Sequence, residues 1–175
     1  MEWYLKAANQ GLVNAQYNVG NMYEQGQGVS QDYSQAMEWY LKAANQGYAR
    51  AQKNIGYFYH FGRGVSQDYS QSMEWYLKAA HQGYARAQEN IGTMYKEGQG
   101  VSQDYSQAMV WYLKAANQGE VNAQYNIGDL YEEGRGVSQD YSKAIVWYRE
   151  AADQGHRLAK THLQNLQALS LDTNK

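Results

Sequence analysis

Trp3, Trp39, Trp75, Trp111 and Trp147 stand 36 residues apart, and this period constrains the fold more than any other feature of the sequence. Gly11, Gly47, Gly83, Gly119 and Gly155 keep the same step, as do Ala15, Ala51, Ala87, Ala123 and Ala159. All 17 glycines fall on repeating positions. A fixed period of this length is the signature of stacked supersecondary units, each too small to bury its own apolar face. Four full units follow, at residues 11–46, 47–82, 83–118 and 119–154, with a half repeat at 1–10 and a capping helix at 155–175. Units two and three share 27 of 36 residues, so the array grew by duplication.

Each unit reads as two helices. In helix A of the first unit, over residues 13–25, Ala15, Val19, Met22 and Tyr23 fall at i, i+4, i+7 and i+8, one face of a 3.6-residue period. Gly26-Gln27-Gly28 ends it. Helix B follows Asp32, with Tyr33, Ala36, Met37, Tyr40 and Ala44 on its buried stripe. Asp32 is placed as N-cap, and Gln35 three residues on completes a capping-box pattern. Gly20, Gly56, Gly92 and Gly128 lie inside the A helices, where glycine costs about 1 kcal/mol against alanine. Their recurrence predicts close packing that offsets this cost. The predicted fold class is all-α: an α/α superhelical solenoid of 36-residue helix-turn-helix repeats forming a single repeat domain.

The pattern resembles the Sel-1-like repeat, a branch of the tetratricopeptide-like superfamily. Unit four carries its motif as Ala123, Ile127, Gly128, Tyr131, Gly134, Gly136, Val137, Asp140, Ala144, Trp147, Tyr148, Ala151, Ala152 and Gly155. Ser72 departs from it, replacing a small Ala in unit two. Absence of Cys sets the chain apart from relatives that staple each repeat with a disulfide. The resemblance implies a right-handed superhelix with A helices lining a concave surface. It also implies non-catalytic work as a protein–protein interaction scaffold or adaptor, or as a dedicated bacterial inhibitor or immunity protein against one toxin or enzyme.

Differences between the internal copies concentrate at four steps of helix A. These are Asn14, Tyr17, Asn21 and Glu24; then Arg50, Lys53, Tyr57 and His60; then Arg86, Glu89, Thr93 and Lys96; then Asn122, Tyr125, Asp129 and Glu132. Spacings of 3, 4 and 3 put them on one face, roughly opposite the apolar one. Arg and Tyr dominate interface hot spots. The expected partner-binding set is therefore Arg50, Lys53, Tyr57, His60, Phe61, Arg86, Glu89 and Lys96, with Phe61 as an apolar anchor and an acidic or mixed peptide or protein as partner.

Other chemistries find little support. Gly26-Gln27-Gly28-Val29 lacks the preceding strand and third glycine of a nucleotide loop. Asp32, Asp68, Asp104 and Asp140 read as caps, and Asn18, Asn54, Asn90 and Asn126 as bonds to backbone between units. His60, His81, His156 and His162 form no H-E-x-x-H motif, and no Ser–His–carboxylate set appears. No catalytic residue, metal set or cofactor is expected. A net charge of −2 gives no footprint for nucleic acid. Apolar runs such as residues 109–113 are far too short to span a bilayer, and the compartment stays undecided.

At the C-terminus Gln164 and Gln167 replace the Gly and Tyr steps, as expected of a cap, and residues 172–175 form a polar tail expected to fray. At the N-terminus residues 1–6 match the interior of a helix B, so the chain is expected to be a piece of a longer array. Trp3 and Tyr4 are then uncovered, and self-association through that end is expected. Trp3→Ala should cost much less stability than Trp75→Ala.

Overall fold

The computed structural model describes residues 2–172; the start methionine and residues 173–175, most of the predicted polar tail, lie outside them. Ten helices and no strand are found among the described residues. They are α1 (Glu2–Asn9), α2 (Val13–Gln25), α3 (Tyr33–Ala44), α4 (Ala49–Phe61) and α5 (Tyr69–His81), then α6 (Ala85–Glu97), α7 (Tyr105–Ala116), α8 (Val121–Glu133), α9 (Tyr141–Asp153) and α10 (Arg157–Asp172). The chain groups into two compact units, Met1–Ala87 and Gln88–Lys175. In the first, α1 to α5 pack each on the next; in the second, α7 packs on α8, α8 on α9, and α10 on both α9 and α8.

Local chemistry accounts for the helix ends. The carboxylates of Asp32, Asp68, Asp104 and Asp140 accept from the backbone N–H three residues on, at 2.9–3.0 Å, satisfying one orphan donor of each B helix. The expected capping box is only half built, because the Asp32 N–H donates to the Tyr23 carbonyl rather than to Gln35. Gly26 ends α2 in the left-handed region at φ 68°, and the Gln27 N–H closes on the Met22 carbonyl at 2.9 Å. The second glycine of the loop has a different role. A Cβ on Gly64 would lie 2.7 Å from the Tyr33 backbone, and one on Gly136 2.6 Å from that of Tyr105, so these loops press on the preceding B helix.

The mid-helix glycines bear out the expected close packing. A Cβ at Gly20, Gly56, Gly92 or Gly128 would stand 2.5–2.6 Å from the ring of Tyr40, Tyr76, Tyr112 or Tyr148. All four tyrosines are buried. A second recurring device links successive repeats within each compact unit. Gln46 donates to Gln16 at 2.7 Å, and Gln82→Gln52, Gln118→Gln88 and Gln154→Gln124 follow at 2.8 Å. Gln16 and Gln52 pass the bond on to the carbonyls of Ala8 and Ala44, so these buried amides are satisfied.

The tryptophans are not equivalent. Trp3 is 84% exposed, whereas Trp39 is only 7% exposed, against Ala8, Ala15 and Val19. Trp75 is half-buried against the α3–α4 core. Tyr4 and Leu12 are exposed beside Trp3, and all three line an open cavity of about 430 Å³. No helix among the described residues is long and apolar enough to cross a membrane.

Candidate functional site

Of the expected binding residues, the first unit holds Arg50, Lys53, Tyr57, His60 and Phe61 on α4, and Arg86 at the start of α6. Lys53 Nζ lies 5.1 Å from the Tyr57 ring centroid, and Tyr57 and His60 each lie 4.5 Å from the Phe61 ring. Phe61 is 55% exposed and Arg50 and Arg86 are exposed. The structure adds Arg63, whose guanidinium sits 4.9 Å from the Tyr57 ring and 5.5 Å from that of Tyr33. A signal for it existed: its loop step reads Gln27, Arg63, Gln99 and Arg135 through the four repeats. Together these side chains make a patch of cations and π faces.

Glu89 and Lys96 belong to the second unit, and both are half-buried. Lys96 Nζ donates to Asn126 Oδ1 at 3.0 Å and lies 3.7 Å from Asp129 Oδ2. Thr93 Oγ1 donates to Glu89 at 3.3 Å and lies 3.1 Å from the Tyr112 hydroxyl. Asn126 also donates to the Asn122 carbonyl of its own helix at 2.9 Å, so its link to the preceding repeat runs through Lys96 rather than backbone.

Here the structure departs from the expectation of a face opposite the core. Only the first of the four variable steps is fully exposed; the other three are half-buried. The physical reason is the buried tyrosine of the paired B helix. Its ring fills the space over the glycine, and its hydroxyl needs an acceptor, which the third and fourth steps supply in the first and fourth repeats. Tyr40 donates to Asn21 Oδ1 at 2.6 Å and to the Glu24 carboxylate. Tyr148 donates to Asp129 Oδ1 at 2.8 Å and to Glu132 Oε2 at 2.5 Å. Burial, and then the adjacent carboxylates, raise the pKa of both phenols far above the ordinary range, so both stay protonated donors.

At the last of these junctions α10 adds His162. Its Nδ1 lies 2.9 Å from Glu132 Oε2, and its ring stands edge-on to Tyr125 at 5.7 Å. Tyr125 stacks on His156 at 4.5 Å, and its phenol is pushed up to about 12 by burial and then by Asp129. The absence of an H-E-x-x-H motif says nothing of this meeting, because His162 reaches an acid 30 residues earlier in the chain. Repeat arithmetic does point to it, since His162 stands one period after Asn126.

The Sel1 repeat model matches residues 1–12, 13–48, 49–84, 85–120 and 121–156. The chain belongs to the Sel1 repeat family. Among solved structures it is similar to c5321, a protective antigen of uropathogenic Escherichia coli, at 42% identity and a TM-score of 0.94, over 97% of this chain and 36% of that one. A Sel1 repeat protein from Oxalobacter formigenes matches at 39% identity and a TM-score of 0.88, over 93% of this chain and 64% of that one. The chain thus spans about a third of the first Sel1 protein and just under two-thirds of the second. Immunity protein Pa5087 of Pseudomonas aeruginosa shares the fold at 23% identity and a TM-score of 0.62, over 98% of this chain and 72% of that one. No curated protein matches the sequence. Sel1 repeats generally mediate protein–protein interaction, and the family is generally non-catalytic.

Proposed function

We propose that this chain is a non-catalytic scaffold that holds a partner protein or peptide, acidic or mixed in charge, on the variable face of its A helices. In the first unit the contacts are Arg50, Lys53, Tyr57, His60, Phe61 and Arg86; in the second they are Glu89 and Lys96. The observation that carries the reading is Phe61, a large apolar ring more than half exposed at the edge of a cluster of Tyr57, His60, Lys53 and Arg63. An aromatic anchor framed by cations fits a carboxylate-bearing segment with an apolar residue beside the acid. The test is affinity capture by the wild type beside an Arg50→Ala, Lys53→Ala, Tyr57→Ala, Phe61→Ala variant, once circular dichroism shows both folded. Capture by the wild type and loss by the variant supports the reading. Equal capture by both overturns this placement. A single enzyme or toxin recovered one-to-one, and inhibited, would make the chain a dedicated inhibitor rather than an adaptor.

Self-association is proposed for the open side of α1, where Trp3, Tyr4 and Leu12 are exposed together. Sedimentation should show mass rising with concentration, and Trp3→Ala should abolish the rise. A monomer at every concentration would overturn it.

A further inference from the structure

We propose that Asp129, Glu132 and His162 form a binding site for one divalent transition-metal cation of the Zn²⁺ class, clamping α10 to α8. One ligand atom from each lies within 4.8 Å of the other two. Ligands about 2.0–2.2 Å from a tetrahedral ion stand roughly 3.3–3.6 Å apart, so the set closes on a metal by small side-chain rotations. One imidazole nitrogen with two carboxylates suits Zn²⁺ better than Ca²⁺ or Mg²⁺, which take oxygen ligands throughout.

The surroundings fit the same occupant. Tyr148 has one hydroxyl proton but lies within hydrogen-bond reach of both carboxylates, so it fully satisfies one of the two at a time. It also fixes their orientation, as an outer partner of metal ligands does. All three ligands are half-buried, and His162 Nδ1 already faces Glu132 Oε2 at 2.9 Å, so the imidazole and the acids are held together before any ion arrives. The internal copies separate this set from ordinary repeat architecture. The same three steps read Asn21, Glu24 and Asn54 in one junction and Thr93, Lys96 and Asn126 in another. Only the junction with α10 offers two carboxylates and an imidazole.

Lys96, 3.7 Å from Asp129 Oδ2, is the built-in competitor. Its ammonium offsets part of the acid charge, and the metal must act against it. Removing Lys96 should therefore tighten metal binding, an effect opposite to that of removing a ligand.

The test is calorimetric titration of the untagged chain with ZnCl₂, with MgCl₂ as control, alongside histidine ring NMR. One Zn²⁺ should bind, shifting the His162 ring signals and leaving those of His60 and His81 in place, while Mg²⁺ does neither. His162→Asn installs the residue that the equivalent step already carries at Asn54, Asn90 and Asn126, so the fold is preserved. It should weaken binding by roughly 10–100-fold or more, as should Asp129→Asn. Lys96→Ala should strengthen it. No Zn²⁺ uptake by the wild type, uptake unchanged in His162→Asn, or uptake unchanged in Lys96→Ala would each overturn the site.

Discussion

Helices α4 and α8 occupy the same step of the repeat, one in each unit, and fill their variable faces with different chemistry. On α4 the third and fourth steps are Tyr57 and His60, both half-buried, whose rings meet the exposed Phe61 and, for Tyr57, Lys53, while His60 also stands edge-on to Tyr69 at 5.1 Å. On α8 they are Asp129 and Glu132, and both turn inward to the hydroxyl of Tyr148. Beneath each lies the same device, a glycine under a buried tyrosine ring. The lesson is that variation between repeats does not by itself mark a binding surface. A variable residue can be one of several acceptable answers to a fixed internal demand, here an acceptor for a buried phenol.

The shared device gives the largest expected effect. Gly56→Ala and Gly128→Ala each force a methyl into a tyrosine ring that has nowhere to go, at a cost of about 2–4 kcal/mol. Chemical denaturation followed by circular dichroism should lower the two midpoints alike. A large inequality would break the claim that the two helices share one foundation.

Next comes the hydroxyl itself. Tyr148→Phe strips Asp129 and Glu132 of a shared donor and should cost about 1–2 kcal/mol. Tyr112→Phe should cost less, about 0.5–1 kcal/mol, because its partner Thr93 is neutral and already bonds Glu89. Denaturation midpoints order the two, and the reverse order would refute the view that the acids of α8 serve the phenol.

The face of α4 should behave in the other manner. Phe61→Ala removes an exposed ring and should move stability by no more than about 0.5 kcal/mol, while abolishing capture of the partner. A Phe61→Ala chain that unfolds easily but still binds would mean that α4, like α8, works for the interior.

How far this was legible in the sequence follows from what a period can and cannot encode. The bounds of α2, the four aspartate caps and the tight fit of Gly20 all come from residues close in sequence or repeated identically, and the repeats display them four times. The inward turn of Glu24 and Glu132 does not show in the same way. It is a meeting of different helices, Glu24 with Tyr40 and Glu132 with Tyr148, and spacing along helix A places these acids opposite the core without revealing that the tyrosine reaches them. The Gln16–Gln46 ladder escaped for a related reason: invariant glutamines look like solvated surface until the next unit is stacked on them. His162 is the sharpest case, because the substitution of an asparagine step by histidine is visible, while the acids it meets are one helix pair away.

The smallest expected effect separates the starts of the A-type helices. At the step before α2, α4 and α8 stand Leu12, Tyr48 and Glu120, none of which caps its helix through a side chain. Before α10 stands His156, whose Nδ1 accepts from the Ala159 N–H at 3.1 Å. Only the unprotonated nitrogen can accept, so the cap requires neutral imidazole. Burial holds the His156 pKa below its ordinary value, with the charge of Asp129 pulling less strongly the other way. A folded-state pKa below the unfolded one means that the unfolded chain takes up the proton first as the pH falls. The contribution is therefore complete above the ordinary histidine value of about 6.5 and is lost as the pH drops through the window beneath it. His156→Asn keeps an oxygen acceptor at the cap and removes the titration. Between pH 8 and pH 5 the wild type should lose a few tenths of a kcal/mol more than His156→Asn, a small value because the ring is partly solvated. Thermal midpoints of the two chains measured across that range isolate the difference, since every other titrating group is common to both. Parallel curves would show that the ring stacks on Tyr125 without capping α10, and would leave the start of α10 no different from those of α2, α4 and α8.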